Sequence, residues 1–331
     1  MAEYLINAND LTKVASAIRE KGGTSASLVY PTGFVSAIQA IRTGAPLQII
    51  VTTSAGATVT ATKDSKTVSG TADTNGECIL TVTEVGTWTV TATLASSINT
   101  ADVVVGTANV DLIMIDPVFG NNSWADIIKA CQKKQVPNTW NVGDSCNMTI
   151  NNKTYAIDII GKNHDDYADG SGKAPLTFQL HDCYGESKNM NSSNTNAGGW
   201  TSCAMRSTHL PASLALMPTE VQNGIREVNK LTSAGNNSST INTTSDKLFL
   251  LSEVEIFGST TNSAAGEGTQ YDYYKAGNSK VKQLNGSVSA WWERSPLAGD
   301  SARFCVVSKS GGRASASKAS VAYGVAFGFC F

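Results

Sequence analysis

Charged side chains are scarce in this chain. Asp, Glu, Lys and Arg make up only 16% of its 331 residues, and 25 basic against 27 acidic residues leave a formal net charge of -2. Binding to nucleic acid or to an anionic membrane depends on clustered positive charge. The composition therefore predicts neither partner.

Long apolar runs are absent as well. No run approaches the roughly 20 residues that a membrane-spanning helix needs. The first residues (MAEYLINANDLTK) lack the basic start and apolar core of a secretory signal. We therefore expect a protein that is made in a cytoplasm and does not insert into a membrane.

Common metal-binding and catalytic motifs are missing. The seven cysteines are an odd number without a CxxC pair, which predicts buried free thiols rather than a zinc ribbon or a disulfide framework. A contact between Cys305 and Cys330 on neighbouring strands is the alternative. No GxSxG, GxxxxGKS/T or GxGxxG pattern occurs. The sequence favours a protein with no cofactor, no metal and no catalytic residues.

One short run is dense in potential metal ligands. It contains His164, Asp165, Asp166 and Asp169. Tyr167 and Leu176 stand where an EF-hand calcium loop needs ligands, so that kind of site is excluded. We expect a turn held by Asp side chains, with another kind of calcium site as the alternative.

Two residue sets nominally allow nucleophilic catalysis. His181 and Cys183 share one face of a predicted strand, and Ser202, His209 and Asp246 contain the residue types of a triad. A nucleophile and its base must lie within hydrogen-bonding distance, which sequence position does not establish. We expect structural roles for both sets, with His181 bonded in the core.

Residues 1–45 predict a small helical module. A first helix begins at a capping residue, Asn9 or Asp10, and ends at Gly22 and Gly23. Its apolar positions are Leu11, Val14, Ala15 and Ile18. A second short helix is predicted around Phe34, Ile38 and Ile41.

Residues 46–106 predict a β-sandwich that acts as a spacer. Apolar and polar residues alternate in six short runs that are separated by Gly, Asn and Asp turns. Residues 73–76 (DTNG) form one such turn.

Residues 107–331 predict an α+β domain with few regular elements and long polar loops. The expected strands are Val110–Ile115, Met148–Ile150, Tyr155–Ile160, a stretch around Leu248–Ile256 and a C-terminal pair. The expected helices are Trp124–Lys133 and Thr219–Lys230.

The C-terminal stretch Trp291–Phe331 is the most informative part of the chain. Bulky aromatic and apolar residues at its two ends predict strands. Small polar residues between them predict loop and exposed strand, where side chains can vary without damage to a core. A segment with fixed strands at its ends and variable side chains between them favours a binding surface over a catalytic site.

This stretch resembles the variable segment of proteins that retroelements diversify, carried on a C-type-lectin-like fold. The resemblance rests on WWERSP at residues 291–296 and on GVAFGFCF at residues 324–331. Three further segments resemble lectin-like domains: NTWNVGD, HDDYADGSGKAPLTFQLHDCY and DKLFLLSEVEIFG. Residues 1–45 resemble the N-terminal module of tail proteins from phages of Gram-positive bacteria.

The resemblance implies a variable ligand-binding surface within residues 297–323. Its members would be Leu297, Ala298, Asp300, Ser301, Arg303, Val306, Ser308, Ser310, Arg313, Ser315, Ser317, Ser320, Ala322 and Tyr323. Lys309 and Lys318 fit less well, because lysine codons do not arise from AAC or AAT by changes of adenine alone. The implied scaffold anchors are Trp291, Trp292, Arg294, Gly324 and Phe327.

Neighbouring aromatic and charged residues have expected roles beside this surface. One indole of the Trp291–Trp292 pair should lie in the core and the other nearer the surface. Arg294 should bond buried carbonyls or Glu293. Three tyrosines either extend the surface or pack beneath it: Tyr271, Tyr273 and Tyr274.

The resemblance implies a receptor-binding protein (adhesin) of a phage or prophage tail, located on the virion tail. Its fold class is multidomain, with a helical attachment module, an Ig-like spacer and a lectin-like domain. Its partners would be a host cell-surface receptor, either protein or glycan, and other tail or baseplate proteins. The fibre context favours a homo-oligomer, with a trimer as the natural guess.

Three alternatives remain open at this level. One is an enzyme on the same fold, either a surface hydrolase or a formylglycine-generating-like oxidase that uses Cys305 and Cys330. Another is a purely structural virion decoration protein. The third is a fixed Gly/Ser-rich loop in place of a diversified one.

Overall fold

The computed structural model describes residues 8–22, 28, 33–34, 46–105 and 109–331. The chain divides into two units, Met1–Pro117 and Val118–Phe331. Both are built mainly from small β-sheets, and the helices are few and mostly short. In the described part of the chain, no helix is long and apolar enough to cross a membrane.

The first predicted helix is present as α1, Ala8–Gly22. Asn9 and Asp10 lie inside it rather than at its cap. Ala15 and Ile18 are buried against Phe34, whereas the apolar position Val14 is 47% exposed. The buried face of α1 is narrow, because the helix packs only on a small cluster that includes Phe34 and Leu28. Gly23, Ile38 and Ile41 lie outside the described residues.

The alternating segment forms seven strands in two sheets. The strands are β1 Leu47–Thr52, β2 Thr58–Lys63, β3 Lys66–Thr71, β4 Glu77–Val82, β5 Thr87–Leu94, β6 Ser97–Val104 and β7 Val110–Asp111. One sheet has the order β4-β1-β7 and the other β3-β2-β5-β6. All pairs are antiparallel except β1 with β7. The predicted strands are confirmed, since period-two alternation is a local signal.

One apolar core lies between these two sheets. Trp88 is fully buried in it, and alternate residues of β2 and β5 face it together with Val51 and Leu80. Because β7 pairs with β1, residues 110–111 belong to this unit. The boundary that we predicted at residue 106 lies instead after Pro117.

The second unit contains eleven strands and several short helices in the following order. They are a 3-10 turn Phe119–Asn121, α2 Trp124–Gln132, β8 Ser145–Ile150, β9 Lys153–Lys162, β10 Leu176–Leu180, α3 Gly199–Ser202, a π turn Met205–His209, α4 Leu210–Leu214, α5 Thr219–Gly224, β11 Val228–Ser233, β12 Ile241–Asp246, α6 Glu253–Phe257, α7 Asp272–Lys275, β13 Lys282–Leu284, β14 Ser287–Ser289, β15 Trp291–Pro296, β16 Arg303–Val307, β17 Arg313–Lys318 and β18 Gly328–Cys330.

Four sheets organise this unit. A four-stranded sheet has the order β18-β10-β9-β8, and a three-stranded sheet has the order β15-β16-β17; β11 with β12 and β13 with β14 form two hairpins. The C-terminal strand β18 therefore pairs with β10. Phe178, Phe329 and Phe331 pack there with Trp124, at ring-centroid distances of 5.3–6.2 Å. This aromatic core fixes the end of the chain inside the unit.

Two predicted elements of this unit are wrong. The helix predicted over Thr219–Lys230 ends at Gly224, because residues 228–233 pair with residues 241–246 as a hairpin. The strand predicted around Leu248–Ile256 is an irregular buried segment followed by α6. Ser252 begins that helix with a reciprocal capping box to Glu255.

Gly76 offers a test of the sandwich turn. It has a φ of +79°, and a Cβ there would lie 2.2 Å from the Thr53 carbonyl oxygen. Gly56 has nearly the same φ, +80°, but a Cβ there would meet nothing within 4 Å. We expect Gly56→Ala to destabilise the sandwich by about 1 kcal/mol and Gly76→Ala by clearly more. Thermal unfolding of both variants measures the difference, and equal losses would contradict the close approach of the two chain segments.

Candidate functional site

The implied surface lies on the sheet β15-β16-β17. Every residue of β15 is buried, and β16 is buried apart from Arg303. β17 pairs only with β16 and carries the exposed residues Arg313 and Lys318. The sheet therefore has a buried base and an exposed edge.

Both tryptophans of β15 lie in the core. Trp291 and Trp292 are each 0% exposed, and their indole N–H groups donate to the carbonyls of Lys280 and Lys188 at 2.9 and 2.7 Å. The prediction that one of them approaches the surface is wrong, because both faces of β15 are covered. Trp292 meets Tyr323 edge to face at 5.2 Å, and so supports the surface from below.

Arg294 is the centre of a buried charge network. It is 0% exposed and donates through two nitrogens to the Glu255 carboxylate, one bond measuring 2.8 Å. It also donates to main-chain carbonyls, as predicted, including those of Leu250 and Glu267 at 2.9 Å each. Its carboxylate partner is Glu255 rather than Glu293.

Lys230 extends this network. Its ammonium lies 2.9 Å from Glu255 Oε1 and 2.7 Å from Asp165 Oδ1, and it donates to the Tyr271 hydroxyl at 2.9 Å. Burial alone would raise the pKa of Asp165, but the Lys230 charge and its hydrogen bond bring that pKa down to about 2. The network thus holds alternating charges: Arg294, Glu255, Lys230 and Asp165.

The residues of the predicted ligand-rich run do not converge. Asp165 points into the core, Asp166 pairs with Lys173 at 3.0 Å, and Asp169 pairs with Arg226 at 2.5 Å. His164 stacks on Tyr271 at 4.0 Å. Among the described residues no group of three or more His, Cys, Asp or Glu could hold a metal ion. Asp169 holds a turn as predicted, accepting from the Ser171 N–H at 2.9 Å.

Asn196 holds the loop between β15 and β16. It is fully buried, and its side-chain amide donates to the carbonyls of Asp300 and Arg303 at 2.8 and 2.7 Å. Its own N–H donates to the Ser301 carbonyl at 2.6 Å. These bonds use only the main chain of the loop, so they do not depend on which side chains the loop carries.

The two later parts of the segment are also held through main-chain groups. Between β16 and β17, the Ser308 N–H donates to the Gly312 carbonyl at 2.8 Å. Tyr323 and Lys188 exchange two main-chain bonds of 2.9 and 3.0 Å, and the Trp292 N–H donates to the Gly324 carbonyl at 3.0 Å. A Cβ on Gly324 would lie 2.4 Å from Cys183 Sγ, which explains glycine at this anchor.

Most residues of the implied surface are exposed or half-buried. The exposed set is Ala298, Ser301, Ser310, Arg313, Ser320 and Ala322, and the half-buried set is Leu297, Asp300, Arg303, Ser308, Ser317 and Tyr323. Val306 is only 3% exposed, so its place on the surface is wrong, because the central strand β16 turns it inward. The side chain of Ser315 lies outside the described residues. The anchors Trp291, Trp292, Arg294, Gly324 and Phe327 are buried.

Arg313 is tied to the protein beneath it. Its Nε lies 3.1 Å from Glu253 Oε1, and its Nη2 donates to the carbonyl and hydroxyl of Ser259 at 2.9 and 2.7 Å. The guanidinium also lies over the Phe257 ring at 4.5 Å. Its role is thus partly structural.

Three glutamates lie buried under the surface. Glu253 accepts main-chain N–H bonds from Asn262 and Ser263 at 3.0 and 2.8 Å. Glu267 accepts from Ser295 and from the Ser233 N–H. Glu293 is 1% exposed, and its Oε2 has no hydrogen-bond partner in the described structure. Burial, and then the charges of Glu253 and Glu267, raise the pKa of Glu293 well above its usual value.

The candidate catalytic sets do not assemble. Cys183 is buried, whereas the His181 side chain is 53% exposed and bonds Asp158 Oδ2 at 2.7 Å, so its expected place in the core is wrong. Asp246 accepts from Trp200 and Arg206.

The His209 imidazole bonds Asn189 Oδ1 at 3.2 Å rather than a serine hydroxyl; the Ser213 hydroxyl donates to the His209 main-chain carbonyl at 3.0 Å. All seven cysteines are free and buried. Cys305 in β16 and Cys330 in β18 lie in different sheets, so they are not paired.

The three tyrosines pack beneath the surface. Tyr271, Tyr273 and Tyr274 are at most 8% exposed. The Tyr271 hydroxyl donates towards Asp165, and Tyr274 donates to Gln179. Of the two open interpretations, the structure therefore supports packing rather than ligand contact.

Sequence reasoning missed the residues that hold the site. These are Asn196, Lys230, Glu255 and Glu267. A signal existed for Glu255, because Ser252 and Glu255 have the spacing of a capping box. No local pattern marks the other three.

Comparison with known proteins gives one match. A family model described as a domain of unknown function (DUF6273) matches residues 171–330. That range contains the sheet β15-β16-β17, β18 and most of the charge network. No curated protein and no solved structure matches the chain.

Arg294→Met tests the charge network. Removal of one member of a buried ion pair leaves an uncompensated charge, which costs about 3–5 kcal/mol. Arg303→Met is the matched control, because Arg303 pairs with Asp300 at 3.1 Å at the half-exposed loop, and such pairs contribute about 1 kcal/mol or less. Denaturant unfolding measures both. Similar losses for the two variants would contradict the central role of Arg294.

Glu293→Gln tests the buried glutamate cluster. A raised folded-state pKa means that the folded protein keeps a proton which the unfolded chain loses. Stability is therefore lost as pH rises above the ordinary glutamate pKa, by about 1.4 kcal/mol per pH unit until the folded-state pKa is reached. Glutamine keeps the shape without ionising, so the variant should match the wild type near pH 4 and exceed it in Tm at pH 8.

Glu186→Gln is the control for this experiment, because the Glu186 side chain is 83% exposed. It should change Tm equally little at both pH values. A Glu293→Gln effect that is the same at pH 4 and pH 8 would refute the interpretation.

Proposed function

We propose that this chain is a receptor-binding protein (adhesin) of a phage or prophage tail, and that exposed side chains between residues 297 and 323 contact a host-surface ligand. One observation carries the proposal: the backbone of this segment is held by Asn196, Lys188 and its own main-chain bonds. In the described part of the chain no side-chain hydrogen bond is found for the exposed surface residue Ser301, and the exposed surface residues Ala298 and Ala322 carry no polar side-chain group. Side chains at such positions can change while the backbone stays in place. Asp300 and Ser308 differ, because their side chains accept main-chain N–H bonds within the segment, at 2.8 and 3.1 Å.

Retroelement-directed diversification of this segment is the finer form of the proposal. The buried ends of the segment, from Trp291 to Pro296 and from Gly324 to Phe331, carry the packing. The exposed positions between them are mostly small or polar. This division matches what a diversified protein needs, because variation must not reach the core.

The second unit is proposed to be a C-type-lectin-like domain. Short helices, small antiparallel sheets and long loops support this assignment. In the first unit, α1 is proposed to belong to a module that attaches to the virion tail, and β1 to β7 to form an Ig-like spacer.

Assembly would strengthen binding by such a protein. Ser, Ala and Gly dominate the proposed surface, and its basic residues are Arg303, Lys309, Arg313 and Lys318. A single site of this kind should bind modestly. A homo-oligomer, proposed as a trimer, would present several copies on one particle. Joint engagement of those copies raises avidity by orders of magnitude when geometry allows it.

The enzyme alternative has less support. Cys305 and Cys330 lie in different sheets. The Asp246 carboxylate is occupied by Trp200 and Arg206. His181 is bonded to Asp158 and not to a nucleophile.

A triple variant tests the binding surface. Ala298→Tyr, Ser301→Tyr and Ala322→Tyr change three exposed positions. Surface substitutions usually change stability by about 0.5 kcal/mol or less each, so Tm should fall by only a few degrees. Binding of the labelled protein to host cells should change at least about tenfold, which corresponds to about 1.4 kcal/mol.

Val306→Ser is the matched control, because Val306 is buried in the same segment. It should lower stability by about 1–3 kcal/mol. A triple variant that unfolds contradicts the exposed surface. A triple variant that folds and binds the host unchanged contradicts its role in recognition, and absence of binding by the wild type favours a decoration protein.

A further inference from the structure

A groove runs along the second unit beside the proposed surface. Its larger compartment has a volume of about 540 Å³ and lies between the β8–β9 turn, residues 184–188 and α4. A smaller compartment of about 210 Å³ adjoins it. Small-molecule sites typically measure about 300–1,000 Å³, so the groove is large enough for a ligand of several rings.

The two compartments share a wall. Lys153, Tyr155 and Asn285 line both of them. The Lys153 ammonium donates to Asn285 Oδ1 at 2.8 Å and lies 5.4 Å from the centre of the Tyr155 ring. These contacts belong to the wall that the two compartments have in common.

Aromatic rings form one side of the larger compartment. Tyr184 is half-buried and lies between Tyr155 at 5.2 Å and Phe327 at 5.5 Å. The Gly185 N–H donates to the Tyr155 hydroxyl at 3.2 Å. The rings are therefore fixed before a ligand arrives, which lowers the entropy lost on binding.

Over the two compartments together the lining has two lysines and two carboxylates, and the larger compartment alone has two lysines and one glutamate. Lys153 and Lys188 are balanced by Glu186 in the larger compartment and Asp182 in the smaller one. Lys188 and Glu186 lie 3.7 Å apart. A balanced lining does not favour an anionic polymer or a cation.

His209 adds a neutral polar group to the larger compartment. Burial, and then the nearby Lys188 charge, lower its pKa below the usual value, so the imidazole is neutral at pH 7. A neutral imidazole has one donor and one acceptor nitrogen. Asn151, Asn285 and Ser213 also offer both kinds of group.

We propose that this groove binds a neutral oligosaccharide. A sugar ring presents an apolar C–H face, which packs on an aromatic ring, and hydroxyl groups, which need donors and acceptors in similar number. Tyr184 supplies the aromatic face, and Lys153, Glu186 and His209 supply the polar contacts.

This site is separate from the proposed variable surface and does not depend on it. It is lined by the β8–β9 turn, α4 and residues 184–188, none of which belongs to residues 297–323. The two sites are neighbours, because Lys188 lines the groove and pairs through its main chain with Tyr323.

The test is titration of the full-length protein with maltotriose, mannotriose and chitotriose, followed by ligand-observed NMR and calorimetry. We expect at least one of them to bind with a Kd on the order of 1 mM. Trigalacturonate, an anionic trisaccharide, should bind more weakly. Tyr184→Ala should weaken binding about tenfold, and Lys153→Ala, at an exposed position, should weaken it while leaving Tm unchanged.

Ser301→Tyr is the control, because Ser301 lies on the proposed surface and outside the groove. It should leave trisaccharide binding unchanged, whatever it does to host binding. The proposal is overturned if none of the three neutral trisaccharides binds with a Kd below about 10 mM or if trigalacturonate binds best. It is also overturned if Lys153→Ala has no effect on the trisaccharide that binds.

Discussion

The bond between Arg294 and Glu255 is the interaction on which the second unit depends. Both residues are buried, and each alone would be very costly to remove from water. Glu255 also bonds Lys230, which bonds Asp165. The four charges belong to β15, α6, β11 and the loop after β9, so the network is complete only when these distant parts of the chain have come together. The position of β15 therefore depends on the correct folding of all four of these parts of the unit.

A fixed β15 would allow the proposed variation in the segment after it. β15 positions β16 and β17 by pairing, and Asn196 fixes the loop between β15 and β16 through carbonyl groups. Main-chain groups are the same in every amino acid except proline. The bonds from Asn196 to the loop therefore do not depend on which side chains the loop carries. Val306 and Arg313 are less free to change, because the side chain of Val306 is buried and that of Arg313 pairs with Glu253.

Local patterns predicted the strands of the first unit but only four of the eleven strands of the second, β8, β9, β15 and β18, because alternation and turn residues act over a few positions. They failed at Leu248–Leu251, whose apolar residues are all buried but whose main chain forms only isolated contacts, with Gly328 and Arg294. The anchors Trp291, Trp292 and Phe327 were predictable as bulky residues at the ends of the surface, whereas Gly324 was implied by the resemblance alone. Their partners were not, since Asp165 and Lys230 are separated from Arg294 by many residues, and no local pattern encodes that contact.

The groove and the proposed surface meet at Lys188, and this arrangement has a consequence for recognition. The Lys188 main chain pairs with Tyr323 and accepts a bond from Trp292, while its side chain lines the groove. The partner that holds the end of the variable segment thus belongs to the groove wall. Variation between residues 297 and 323 would leave the groove intact, because the shared contacts are main-chain bonds. A ligand long enough to reach both sites would combine a constant contact with a variable one, and two weak sites joined in this way bind more tightly than either alone.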